Sequence, residues 1–319
     1  MTTTPSQPAA ISATGLRKSF GDKVVLDGID LQVAQGTIFA LLGPNGAGKT
    51  TMVHILSTLI GADAGELAVG GHDLARDPDA VREAIGVTGQ FSAVDRLLTG
   101  QENLLLMADL RHLGRREGRR RAAELLERFD LAEAGGKPAG TYSGGMLRRL
   151  DLAMTLVGDP RIIFLDEPTA GLDPRSRRAM WQLIRELVAG GVTSFLTTQY
   201  LEADELADRV ALLDHGRLVA EGTPEELKRL VPGGHIRLQF AYADGLESAA
   251  RMLGEAVRDN EALTLQVPSD GSVKSLRALL DRLEDASIEV SELSIHTPDL
   301  DDVFLALTGQ PDKEKEPTR

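Results

Sequence analysis

The 319-residue chain carries 35 basic and 48 acidic side chains, a formal charge of −13, which excludes a general nucleic-acid binder because such a protein needs a basic face to displace counterions from phosphates. With 42% hydrophobic residues it can bury one large core or two smaller ones, and with no cysteine it can form neither disulfides nor thiolate metal sites, which points to a reducing cytoplasm. No apolar run approaches the ~18 residues of a membrane-spanning helix, and the polar start MTTTPSQPAA lacks a secretory pattern, so a soluble chain is expected.

Residues 1–10 and 310–319 have the composition of tails, polar and without periodicity. GTIFALLG (36–43) is a compact apolar run of the kind a buried parallel strand requires, and GPNGAGKT (43–50) follows it directly. That segment fits G-x-x-x-x-G-K-[ST] and runs into the helical pattern TMVHILSTLI. Gly43, Gly46 and Gly48, with Pro44, Asn45 and Ala47 between them, allow backbone N–H groups to curl around phosphates at a helix start. Lys49 reaches the β and γ phosphates, Thr50 suits magnesium, and Thr51 completes the nucleotide contact; ATP and Mg2+ are the expected cofactors.

From Phe91 to about Ala134 strand signal gives way to helical periodicity, which predicts a helical insertion, about 91–150, within an α/β domain. Its cluster Arg115–Arg121 reads either as a partner contact or as a solvated helix face. TYSGGMLRRLDLA (141–153) opens a helix with Ser143, Gly144 and Gly145, a second candidate anion site. RIIFLDEPTAGLDP (161–174) places Asp166 and Glu167 at the end of a buried strand. Adjacent carboxylates there either cap a helix or serve a cation and a water: Asp166 suits magnesium and Glu167 a general base.

VTSFLTT (192–198) is a further apolar strand that ends on Gln199. RVALLD (209–214) and LVAEG (218–222) flank the turn DHGR, a hairpin. Beyond the linker Pro232–Gly234 the pattern restarts as a β-α-β-α-β unit over 235–309, with strands in HIRLQF, ALTLQV and SIEVSELSI, helices in LESAARMLGEAV and VKSLRALLDRLE, and a last helix at 299–308.

The order of phosphate loop, SGG signature and LDEPTAGLD resembles the ATP-binding subunit of ABC transporters over about residues 11–231. GVTGQFSAVDRLLTGQENL, YSGGMLRRLDLA, TTQYLEADELADR and LDDVFLALTG resemble the daunorubicin-resistance subgroup in particular. The resemblance implies a P-loop NTPase domain with a helical subdomain, plus a small C-terminal α+β domain that assists assembly. It also implies a homodimer in which each ATP lies between one chain's phosphate loop and the other's Ser143, Gly144, Gly145 and Asp173. Phe20 would stack on adenine, and Gln90 would sense magnesium and a separate multi-span membrane subunit. The implied work is ATP hydrolysis that drives export of a drug or lipid-like cargo from the cytoplasmic side of the membrane. Two departures stand out: Tyr142 and Met146 replace the usual leucine and glutamine of the signature, and Gln199 stands where the broad family has a histidine near the γ-phosphate. The competing readings are an ATPase acting on ribosomes or DNA, a small-molecule kinase, and a nucleotide-gated module in which Gln199 disables turnover.

Overall fold

The computed structural model describes residues 9–90, 92–198, 206–231, 234–254, 256–260, 262–269, 272–296 and 298–308. The chain divides into two compact units, Met1–Pro224 and Glu225–Arg319. The division falls inside the short helix Pro224–Lys228, ahead of the expected linker, whose Pro232 and Gly233 lie outside the described residues.

The first unit contains two sheets. β1 (Ala9–Phe20), β2 (Lys23–Ala34), β4 (Ala64–Val69) and β5 (His72–Asp73) form an antiparallel sheet in the order β2-β1-β4-β5; β3 (Ile38–Leu42) belongs to the other. That second sheet adds β6 (Ile85–Thr88), β7 (Ile162–Asp166), β8 (Thr193–Thr198), β9 (Arg209–Asp214) and β10 (Arg217–Gly222), in the order β10-β9-β3-β8-β7-β6. All its pairings are parallel except the β9–β10 hairpin. Every residue of β3, β7 and β8 is buried, as strands covered on both faces must be. The hairpin turns at His215 and Gly216, both with positive φ (44° and 76°), the mirror-image turn that matches strand twist. A Cβ at residue 216 would come 2.4 Å from the Val25 carbonyl oxygen, so only glycine fits.

α1 (Lys49–Leu56) and α2 (Pro78–Ala84) pack against β7 and β6 of this sheet, and α3 (Gly100–Leu110) lies in the helical insertion. α3 starts in a capping box, Thr99 accepting from the Glu102 amide while Glu102 accepts from the Thr99 amide. α4 (Arg115–Arg128) and α5 (Gly144–Thr155) complete the helical insertion, and α6 (Pro174–Ala189) follows β7. The arginine cluster is divided in use. Arg120 pairs with Glu117 and Glu124 on the solvated face, whereas Arg121 reaches Asp159 and the Leu156 carbonyl.

The second unit is an antiparallel sheet, β12-β13-β11-β14, built from β11 (His235–Gln239), β12 (Val257–Asp259), β13 (Thr264–Pro268) and β14 (Glu292–His296). Helices Ala243–Leu253 and Val273–Asp285 cover it through Ile236, Leu238, Leu246, Leu265, Leu279 and Leu283. The sequence pattern ran the first helix to Val257 and began the last strand at Ser287. Instead Gly254, at φ 69°, stops the helix and frees β12, and Ser287, at φ 50°, turns the chain so that pairing starts only at Glu292.

The sheet that carries the site is held by an aromatic row across three strands. Phe195 stacks on Phe39 at 5.5 Å between ring centroids and packs against Phe164 at 5.6 Å, and all three are buried. Phe195→Ala should therefore destabilise the protein by about 3–5 kcal/mol in denaturant titrations, the usual cost of emptying a core phenylalanine site; a loss below about 1 kcal/mol would show that this row does not hold the sheet together.

Candidate functional site

Parallel register collects chain ends at one sheet edge. Leu42 pairs with Thr198 and Asp166 with Thr197, so the segments leaving β3, β7 and β8 emerge side by side.

The segment leaving β3 is the glycine loop. Gly46 (φ 83°) and Gly48 (φ 114°) hold left-handed backbone that other residues resist. A Cβ at residue 43 would lie 2.2 Å from the Leu213 carbonyl oxygen, and one at residue 48 would lie 2.7 Å from Leu26 Cδ2. Glycine at 43 and 48 thus lets the loop backbone lie tight against Leu213 and Leu26. Gly48 caps α1 without any side-chain partner, which leaves first-turn N–H groups for an anion. Lys49 is buried, and its ammonium donates to the carbonyls of Gly43 at 2.6 Å and Pro44 at 3.2 Å. Burial lowers its pKa, opposed by the charges of Glu167 and Asp166. A tethered, poorly hydrated cation of this kind gains strongly from a phosphate oxygen, and the loop fits a nucleoside triphosphate.

The segment leaving β7 carries the carboxylates. Asp166 is 2% exposed and its Oδ1 accepts from the Thr197 hydroxyl. The same hydroxyl accepts from the Glu167 amide at 3.0 Å, so one side chain of β8 orders both acidic residues. Glu167 itself sits at φ 50°. For a residue other than glycine this left-handed conformation costs about 1–2 kcal/mol and marks an enforced backbone. The outcome of that turn is that Glu167 Oε1 stands 4.0 Å from Lys49 Nζ. These acids do not cap a helix: α6 begins seven residues after Glu167 and is capped by Asp173.

Arg148, on α5, is the residue the sequence reading missed. Its guanidinium donates to the carbonyls of Gly89, Asp166, Glu167 and Pro168 at 2.9–3.0 Å and to Asp151 Oδ2 at 3.3 Å. Burial pushes the Arg148 pKa down and that of Asp151 up, each opposed by the other's charge. The available signal was a polar stripe, Arg148, Asp151 and Thr155, at helical spacing on a face expected to be apolar. Thr197 was likewise missed, since a strand threonine in isolation reads as β-propensity.

The remaining predicted residues are placed as follows. Thr50 is exposed and Thr51 half-buried on the first turn of α1. Ser143 is the exposed N-cap of α5, its Oγ accepting from the Met146 amide, and Gly144 is open to solvent. A Cβ at residue 145 would meet Ser176 Oγ at 2.5 Å, so the start of α5 packs against the first turn of α6. Asp173 accepts there from the amides of Arg175 and Ser176 and from the Ser176 hydroxyl, which lowers its pKa. Tyr142 is buried and donates to the Ala134 carbonyl at 2.7 Å, which accounts for its tolerance in place of leucine. Phe20 is 52% exposed, with Lys18 Nζ 5.3 Å from its ring centroid, and so is not a core residue. Gln90 is exposed on the loop after β6, next to Gly89. Gln199 lies outside the described residues.

Residues 26–170 match the family model described as "ABC transporter". The chain is 50% identical over 311 residues to the daunorubicin resistance ATP-binding protein DrrA3 of Streptomyces coeruleorubidus, covering 96% of this chain and 98% of that protein. It is 45% identical over 317 residues to the daunorubicin/doxorubicin resistance ATP-binding protein DrrA of Streptomyces peucetius, covering 98% and 95%. A solved structure of the ATP-binding subunit of an ABC transporter superposes with a TM-score of 0.62 at 28% identity, over 69% of this chain and 92% of that one. With the phosphate loop, the paired carboxylates and the capped glycine signature in place, these matches establish that the chain belongs to the ATP-binding subunits of the ABC transporter family and is an ATPase.

Proposed function

We propose that Glu167 is the general base of this ATPase, and that the chain works as a homodimer on a separate membrane subunit to move a drug-like or lipid-like compound outward. The observation that carries the first part is the enforced turn at Glu167, which sets a carboxylate 4.0 Å from the phosphate-binding ammonium of Lys49. A base held there meets water at the phosphate end of the site, and phosphoryl transfer asks for positioning and charge stabilisation more than covalent help.

Loop amides from Gly43 to Thr51 and the Lys49 ammonium bind the phosphates, and exposed Phe20 offers a face for adenine. Thr50 and Asp166 would hold magnesium, with Gln90 beside them. When bound, magnesium supplies charge neutralisation on the phosphates.

The second copy's Ser143, Gly144, Gly145 and Asp173 would close the site. Exposure of the α5 start supports this, because amides that face outward are available to a ligand carried by another chain. A membrane subunit is inferred from the family, since no described helix is long and apolar enough to cross a membrane. On this reading the chain works at the cytoplasmic membrane face as a peripheral subunit. Outward movement of a drug is suggested by the resistance names of the two relatives. For Gln199 the reading rests on its place in the sequence alone: an amide near the γ-phosphate that donates without titrating.

Glu167→Gln should retain Mg-ATP binding and lower turnover by about 100-fold or more, read by nucleotide affinity and phosphate release; undiminished turnover refutes the assignment. Mixing Lys49→Ala chains with Ser143→Arg chains should restore activity through one intact composite site, and no recovery despite demonstrated subunit exchange would exclude the shared arrangement. Gln199→His should add an ionisation near pH 6.5 to the rate profile, with activity changing as the imidazole protonates below about that value; superimposable profiles would place residue 199 away from the reacting phosphate.

A further inference from the structure

Taking Glu167 as the base leaves open what holds it in a conformation its own backbone disfavours. Arg148 lies 11% exposed beneath it, and all five of its guanidinium N–H groups have acceptors: one at Nε, two at each terminal nitrogen. Three of those acceptors are the consecutive carbonyls of Asp166, Glu167 and Pro168. Consecutive carbonyls in an extended strand point to opposite sides, so their convergence on one cation belongs to the turn in which Glu167 takes its positive φ. The cation and the strained turn are therefore two halves of one arrangement.

The same group reaches the loop that bears Gln90. Arg148 takes the Gly89 carbonyl on one side of Gln90, and Asp151, its partner one turn along α5, accepts from the Ala93 amide at 3.1 Å on the other side. The helix that begins at Ser143 thus grips both the base-bearing segment and the Gln90 loop from a single buried ion pair. We infer that Arg148, with Asp151, is the positioning residue that sets the Glu167 carboxylate toward the reacting phosphate, its hold on the Gln90 loop serving to fix α5 and the guanidinium in place beneath that carboxylate. Lysine cannot substitute, because three donors on a point charge cannot span four carbonyls and a carboxylate.

The test compares the full-length wild type, Arg148→Lys, Arg148→Met, Glu167→Gln and the Glu167→Gln/Arg148→Met double variant, with Mg-ATP as the only probe, under steady-state and single-turnover conditions. Arg148→Lys and Arg148→Met should each lower kcat at least about tenfold while KM and Mg-ATP affinity stay within about threefold, the split expected of a group that acts on the reacting geometry rather than on binding. In the double variant the single-turnover rate should stay within about twofold of Glu167→Gln alone, because Arg148 acts through the carboxylate already removed. Amide exchange at Ala93 should quicken in both Arg148 variants. If Arg148→Met does not fold, Arg148→Lys keeps the charge and carries the comparison alone. A kcat near wild type in either variant, parallel losses of affinity and kcat, or multiplying losses in the double variant overturns the inference. Undiminished turnover in Glu167→Gln refutes the base itself, whatever the Arg148 variants show, and removes the inference with it.

Discussion

Parallel pairing of β3, β7 and β8 is the constraint on which the rest of this molecule depends. Three strands that run the same way, buried on both faces, must end at the same edge of the sheet, and the register fixes which residues meet there. Leu41, Asp166 and Thr197 come level, so the glycine loop, the acidic pair and the threonine that orders them occupy one small volume although they are spread over about 150 residues of chain. The aromatic row of Phe39, Phe195 and Phe164 runs beneath that edge and makes the strands a rigid base for it.

What assembles at the edge is a set of charges removed from water. Lys49, Asp166, Arg148 and Asp151 are all nearly buried, and each is answered: the ammonium by loop carbonyls, the aspartate by Thr197, the guanidinium by four carbonyls and a carboxylate. Unanswered, such groups would cost several kcal/mol each. Answered, they lose the freedom to reorganise, which is the condition for an electrostatic site that acts without first rearranging. The strained Glu167 lies in the same held region, its left-handed backbone flanked by carbonyls that Arg148 takes.

Much of this was legible in the sequence because the rules involved are local. Gly46 and Gly48 are required by backbone conformation, the loop's placement by a strand before and a helix after, and the β9–β10 turn by His215-Gly216 between two apolar runs. Ends of elements were less legible in the C-terminal unit. There Gly254 and Ser287 interrupt patterns that hydrophobic periodicity continues through, and β12 is too short to announce itself. Arg148 and Asp151 were visible only as two charges in a helix, because the carbonyls they serve come from residues 89 and 166–168, distant in the chain.

The sequence by itself determined that the chain binds a nucleoside triphosphate and to which family it belongs, since a phosphate cradle needs fixed residue types at fixed short spacing, and such spacing survives in one dimension. Tertiary structure alone decided that Thr197 joins the Asp166 carboxylate to the Glu167 backbone amide, that Glu167 is turned toward Lys49, and that one buried guanidinium ties the signature helix to both the acidic segment and the Gln90 loop. The reason is that these relations run between residues remote in sequence and depend on strand register and helix packing, which hydrophobic pattern permits in many ways and only the folded chain selects.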